Sequence, residues 1–304
     1  MEQLRYDGKV VIVTGAGGGL GAAYAKLLAA RGAKVVVNDL GSSMSGDGSD
    51  SSAAEATIAE ITAAGGTAIR DGGDVTDAKA MSRMVAATVA EFGRIDAVIS
   101  NAGIIRTEPW DEVQRADIQR QLNVHLFGGF EVAKAAWPEL VKSRGSIVFT
   151  TSAGMLGSNF IFGYSIAKAS VYGLMRSLAV EGRSAGVRVN AVMPGAETRM
   201  QDTAIDAAPR STDYLLSPAN AAPLTCYLVH DQCTSSGEMY LTGRGHAARV
   251  VLASTPGVSR RETDLEWVAE NFAAIEDTRE LVVEKDLETH RNRVFGIWAD
   301  GHDA

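Results

Sequence analysis

Short apolar runs rich in β-branched residues alternate with longer stretches of helical period along most of the chain. Val10–Val13 is the first run, and residues 20–31 follow with Leu20, Tyr24, Leu27 and Leu28 on one helical face before Gly32 stops the pattern. Further runs are Val35–Val37, Ile95–Ser100, Ser146–Thr151, Val187–Val192 and Met239–Thr242. Runs that are apolar on both faces and separated by helices predict a parallel sheet covered on both sides. The alternation of strand and helix predicts a doubly wound α/β sheet in one domain, residues 1–243.

Two segments break this rhythm. Residues 41–52 (GSSMSGDGSDSS) are almost all Gly, Ser and Asp, and predict a surface loop. Residues 244–304 follow the last predicted strand and are rich in charge, and so read as a C-terminal helical extension. Thr263 to Glu266 fits a capping box that opens a helix with Leu265, Val268, Phe272 and Ile275 on one face. Such a stripe needs burial, which predicts docking on the first domain, over the substrate cleft, or on a neighbouring subunit.

Composition then removes several function classes. The net charge of −8 argues against nucleic acid and against an anionic membrane surface as partners. The first residues, MEQLRYDGK, contain no apolar signal segment, and no apolar run is long enough to span a bilayer. A cytoplasmic location is the resulting expectation. Cys226 and Cys233 have neither disulfide-framework nor metal-site spacing, and are read as reduced structural thiols; no metal is expected.

The candidate chemistry begins with TGAGGGLG, residues 14–21, between the first strand and the first helix. Gly15, Gly19 and Gly21 allow a tight turn and let a pyrophosphate approach the helix N-terminus. Asp39 ends the second strand, where a carboxylate accepts hydrogen bonds from ribose hydroxyls and repels a 2′-phosphate. No Lys or Arg lies between Gly15 and Gly21, and the predicted cofactor is NAD. Downstream, Tyr164 and Lys168 fall one helical turn apart on a helix predicted over 163–183. An ammonium beside a phenol favours the phenolate, which suits general acid–base work on an alcohol or carbonyl.

Taken together, TGAGGGLG, Asp39, Asp74-Val75, Asn101-Ala102-Gly103, Asn123, Ser152, Tyr164-Ser-Ile-Ala-Lys168 and Pro194-Gly195 resemble the short-chain dehydrogenase/reductase family in order and spacing across residues 8–243. The resemblance implies a Rossmann-type sheet of about seven parallel strands. It implies a cofactor held by Gly15, Gly19, Leu20, Gly21, Asp39, Asp74, Val75, Asn101, Ala102, Gly103, Tyr164, Lys168, Pro194, Gly195 and Thr198. It implies a catalytic set of Asn123, Ser152, Tyr164 and Lys168, with Asn123 anchoring a water that feeds protons to Lys168. It also implies a homo-oligomer, a tetramer or a dimer, in which the helices carrying Asn123 and Tyr164 pair between subunits. Counting back from Tyr164 points to Thr151 as the orienting hydroxyl, whereas counting along the strand from Gly145 points to Ser152. Strand register is costly to change and loop length is not, which favours Ser152.

Three stretches, VVVNDLG with the Gly/Ser insert, AAWPELVKSRGSIVFTTSA and PGAETRM, are similar to the branch formed by the (3R)-hydroxyacyl-CoA dehydrogenase domains of peroxisomal multifunctional enzymes of type 2 and their stand-alone bacterial relatives. The apolar Phe160-Ile161-Phe162 before the tyrosine departs from that branch and suits a hydrophobic cleft. The implied activity is NAD-dependent interconversion of a hydrophobic secondary alcohol and its ketone. The substrate stays open between a 3-hydroxyacyl-CoA and a hydroxysteroid or other cyclic alcohol. A non-catalytic NAD-binding scaffold is the alternative of another class.

Overall fold

The computed structural model describes residues 3–43, 45–196 and 214–299, apart from the side chains of residues 214 and 295–299. Residues up to Arg249 form one compact unit, and those from Val250 on form a second.

The first unit is built on an eight-stranded sheet. Its strands are β1 (Val10–Thr14), β2 (Lys34–Asn38), β3 (Thr67–Asp71), β4 (Ala97–Ser100), β5 (Ser146–Thr150), β6 (Arg188–Pro194), β7 (Met239–Gly243) and β8 (His246–Val250), in the order β3-β2-β1-β4-β5-β6-β7-β8. Strands β1 to β7 pair in parallel. The helices are α1 (Gly19–Ala30), α2 (Ser52–Ala63), α3 (Ala78–Phe92), α4 (Arg115–Leu122), α5 (Gly128–Ser143), α6 (Phe162–Ala185) and α7 (Pro218–Leu228). A π-helical turn, Asn123–Phe127, joins α4 to α5. Every residue of β1 and β5 is buried, as unbroken apolar strands require when helices cover both faces. The chain order reverses between β1 and β4, and the ends of those strands open the crevice where α/β sheets bind ligands.

The sheet has one strand more than expected. Arg244 and Gly245 take positive φ values of 54° and 71°, as a two-residue hairpin turn demands, and this turn folds β8 back beside β7. The first residues of the predicted extension therefore complete the sheet. The second unit contains β9 (Ala253–Ser254), α8 (Leu265–Ile275), β10 (Val282–Val283) and α9 (Leu287–Ala299). Helix α8 starts one residue later than the capping box predicted. Asp264, not Thr263, is its N-cap, with Oδ1 accepting the Trp267 N–H at 2.7 Å. A carboxylate gains more than a hydroxyl at a helix N-terminus, because it also meets the helix dipole. Leu265, Val268 and Phe272 are exposed. Among the described residues no helix is long and apolar enough to cross a membrane. Cys226 and Cys233 are buried free thiols.

Candidate active site

The glycine-rich turn joins β1 to α1. Gly15 has φ +64°, and a Cβ there would lie 2.8 Å from Ala102 Cα. A Cβ on Gly21 would lie 2.1 Å from Gly15 O, so the helix starts directly against the turn. Asn101 ties the strand ends together. Its Nδ2 donates to Thr14 O at 3.1 Å and Gly15 O at 3.2 Å, while its own N–H and that of Ala102 donate to Thr14 Oγ1. Asp39 closes the turn from the other side: Oδ2 accepts the Gly17 N–H and Oδ1 the Gly41 N–H, both at 2.7 Å.

These groups line one end of a cleft of about 730 Å³, which continues to Tyr164 and Lys168. Gly15, Gly19, Leu20, Asp39, Asp74, Val75, Asn101, Ala102, Gly103 and Pro194 all line it. Gly21 lies behind the turn, and Gly195 donates its N–H to Thr242 O at 2.7 Å. Thr198 lies outside the described residues. The segment predicted as a surface loop over residues 41–52 also borders the cleft, through Ser42, Ser43 and Gly46. Asp47 in that loop pairs with Arg120 on α4 at 2.5 Å. An elongated ligand with a pyrophosphate at the turn and a ribose at Asp39 fits this lining.

At the other end, β5 delivers the hydroxyls and α6 delivers the tyrosine and lysine. Thr151 is 1% exposed, and its hydroxyl donates to Lys168 O at 2.9 Å, which pins the strand end to α6. Ser152 lines the cleft; its Oγ accepts the Gly154 N–H at 3.1 Å, and Oγ and the Tyr164 ring edge both border the space beside Gly154. Of the two candidate hydroxyls, Thr151 is buried against Lys168 and Ser152 is the less buried. Lys168 Nζ, nearly buried, donates to Thr150 O at 2.7 Å and lies 5.6 Å from the Tyr164 ring centroid.

The electrostatics differ from expectation. Burial raises the Tyr164 pKa above its usual value, and the Ser152 side chain only partly opposes it. Burial also lowers Lys168 to about 7, so its charge is partial near neutrality and its pull on the phenol is correspondingly weak.

Asn123 lines the same cleft, from the π turn. It is exposed at the start of the π turn, where Oδ1 accepts from Gln119 Nε2 at 2.8 Å and its carbonyl accepts the Gly128 N–H. The side chain that the π turn aims inward is His125. Its Nε2 lies 2.7 Å from Ile104 O, and its ring meets Tyr164 edge-on at 5.4 Å. Burial, and next the Lys168 charge, push its pKa well below the ordinary histidine value. Nε2 carries the proton toward Ile104 O, which leaves Nδ1 a buried acceptor without a partner among the described residues. The sequence signal was a lone titratable residue inside the apolar run Val124-His125-Leu126-Phe127.

Comparison with known proteins agrees with this geometry. Residues 9–208 match the short chain dehydrogenase family. The chain is 40% identical over 261 residues to peroxisomal multifunctional enzyme type 2 of Mus musculus, covering 85% of this chain but 35% of that enzyme, so it spans about a third of that relative's length. It is 37% identical over 272 residues to a short-chain type dehydrogenase/reductase of Mycobacterium tuberculosis, covering 88% of this chain and 94% of that one. Carveol dehydrogenase of Mycobacterium avium, solved in complex with NAD, superposes with a TM-score of 0.71 at 25% identity, covering 79% of this chain and 97% of that one. With the glycine-rich turn, the switch-point cleft and the Ser152–Tyr164–Lys168 cluster in place, the chain belongs to the short-chain dehydrogenase family.

Proposed function

We propose that this protein is an NAD-dependent oxidoreductase that interconverts a hydrophobic secondary alcohol and its ketone. The observation that carries the reading is that Ser152, Tyr164 and Lys168 line one end of a cleft whose other end is the glycine-rich turn with Asp39. In this reading Gly15, Gly19 and Leu20 face the pyrophosphate, Asp39 the adenosine ribose, Asp74 and Val75 the adenine, and Lys168 the second ribose. The nicotinamide, when bound, supplies the hydride acceptor. Ser152 holds the substrate oxygen, and Tyr164 takes the hydroxyl proton during oxidation or returns it during reduction. Lys168 sets the charge around the phenol, and Thr151 fixes Lys168 by holding its backbone carbonyl. Burial favours the neutral phenol of Tyr164 in the free protein, as proton donation during reduction requires.

For the substrate, the apolar Ile104, Ile105, Phe160 and Ile161 along the cleft favour an alcohol with a hydrophobic body. The similarity to multifunctional enzyme type 2 supports a 3-hydroxyacyl-CoA as a second reading. The exposed apolar faces of α5 and α6 support assembly as a homodimer or homotetramer. The test is NADH formation, followed by its near-ultraviolet absorbance, with secondary alcohols, steroids and 3-hydroxyacyl-CoA thioesters and with NAD or NADP. NAD-dependent oxidation of one of these classes is expected. Absence of turnover with all of them, despite NAD binding, would overturn catalysis in favour of a binding role.

A further inference from the structure

We infer that Phe160 determines substrate choice by walling the cleft, and that it selects secondary alcohols with a bulky apolar group on the carbinol carbon. This rests on the dehydrogenase reading above. Phe160 has φ +64°, the left-handed region that a bulky side chain enters only under constraint. The constraint comes from the segment opposite. Glu108 N–H donates to Phe160 O at 2.8 Å, and the Trp110 ring meets that of Phe162 at 4.8 Å. The backbone is thus braced on both sides of the strained residue.

The strain does not serve ordinary packing. The Phe160 side chain is 44% exposed and lines the cleft with Ile104, Ile105 and Ile161. A solvent-facing turn with no other task would suit glycine or asparagine, and Asn159 stands one residue before it. Beside the phenol the cleft widens because position 154 has no side chain. A Cβ on Gly154 would lie 3.2 Å from Ile161 Cδ1, 3.3 Å from Tyr164 Cε1 and 3.4 Å from Ser152 Oγ. The room next to the reacting oxygen is therefore bounded by Ile161 and extends to an aromatic wall at Phe160. A large apolar substituent fills that space; a methyl group leaves it wet.

The experiment compares the native enzyme with Phe160→Asn and Phe160→Gly, using NAD and a series of 2-propanol, cyclohexanol and 1-phenylethanol. The native enzyme should favour the two bulky alcohols. Both variants should lose roughly tenfold or more in kcat/KM on the bulky alcohols, mostly through KM, and clearly less on 2-propanol. Their Tm should stay level or rise, because asparagine and glycine accept the left-handed backbone. A parallel loss across the series, a lowered Tm, or a native preference for 2-propanol would overturn the inference and leave the dehydrogenase reading standing. No oxidation of any of the three by the native enzyme would overturn the inference itself. If 3-hydroxyacyl-CoA is then oxidised, the dehydrogenase reading survives alone.

Discussion

At the scale of single residues, three neighbouring hydroxyls should respond differently to removal. Ser152→Ala deletes the hydroxyl proposed to hold the substrate oxygen, and losing such a preorganised donor costs on the order of 3 kcal/mol, roughly a hundredfold in kcat. Thr151→Val deletes a bond to the Lys168 carbonyl, so it should cost about 1 kcal/mol of stability while kcat stays near native. Tyr164→Phe should be the most severe in kcat and should still bind NAD. Steady-state kinetics, thermal melts and NAD titration separate the three, and a severe kcat defect in Thr151→Val would reverse the assignment. The place of Ser152 at the cleft was legible because strand register fixes which side chains share a face. His125 was not, because nothing in sequence tells a buried histidine within an apolar run from an ordinary core position. Lys168 adds a pH prediction. Its folded value near 7 lies below the unfolded 10.5, so between those limits the unfolded chain binds more protons. Stability should therefore rise with pH from about 7 to 9, by roughly 1 kcal/mol per unit, before the buried Cys226 thiol, raised above its usual 9.0, begins to oppose the trend. Depressed His125 titrates below this window and raised Tyr164 above it. Denaturant melts across the range should show the rise in the native protein and its loss in Lys168→Met.

At the scale of elements, β2 leads into Asp39, the carboxylate proposed to discriminate between cofactors. Its two oxygens join the glycine-rich turn to the loop that follows β2. Asp39→Ala would remove both charge and bridge, so Asp39→Asn, which keeps one acceptor, isolates the charge. The ratio of kcat/KM for NADP over NAD should rise at least tenfold in Asp39→Asn, since repulsion of the 2′-phosphate is gone. A native enzyme already faster with NADP would contradict the reading. The apolar strands were readable from their runs alone. Strand β3 was not: Thr67–Asp71 is an edge strand with no fully buried residue, so it has no unbroken apolar run to read. Strand β8 was hidden for the same reason, and only its Arg244-Gly245 turn marks it. The polar loop beside the cleft escaped because its role depends on a partner far along the chain, Arg120.

At the scale of the whole molecule, the unresolved account is of apolar surface. By helical period, Phe127, Phe130 and Val141 share one face along the π turn and α5, and Phe162, Ile166 and Val180 share one along α6. All six are more than a third exposed in the single chain. Scattered apolar residues need no explanation, but two stripes on adjacent helices carry an entropic and hydration cost that a second subunit removes. The resemblance to the family pointed to these same helices from sequence, although which residues face outward could be known only once the register of α5 and α6 on the sheet was fixed. A symmetric pairing repeats each stripe against its copy, which suits a homodimer or a tetramer built from two such contacts. Light scattering at micromolar concentration should give a dimer or tetramer mass. Phe130→Asp with Val180→Asp places four carboxylates at each symmetric contact and should shift the protein toward single chains, with the far-ultraviolet spectrum preserved. A native mass of one chain, or an unchanged assembly in the double variant, would show that these faces do not form the interface.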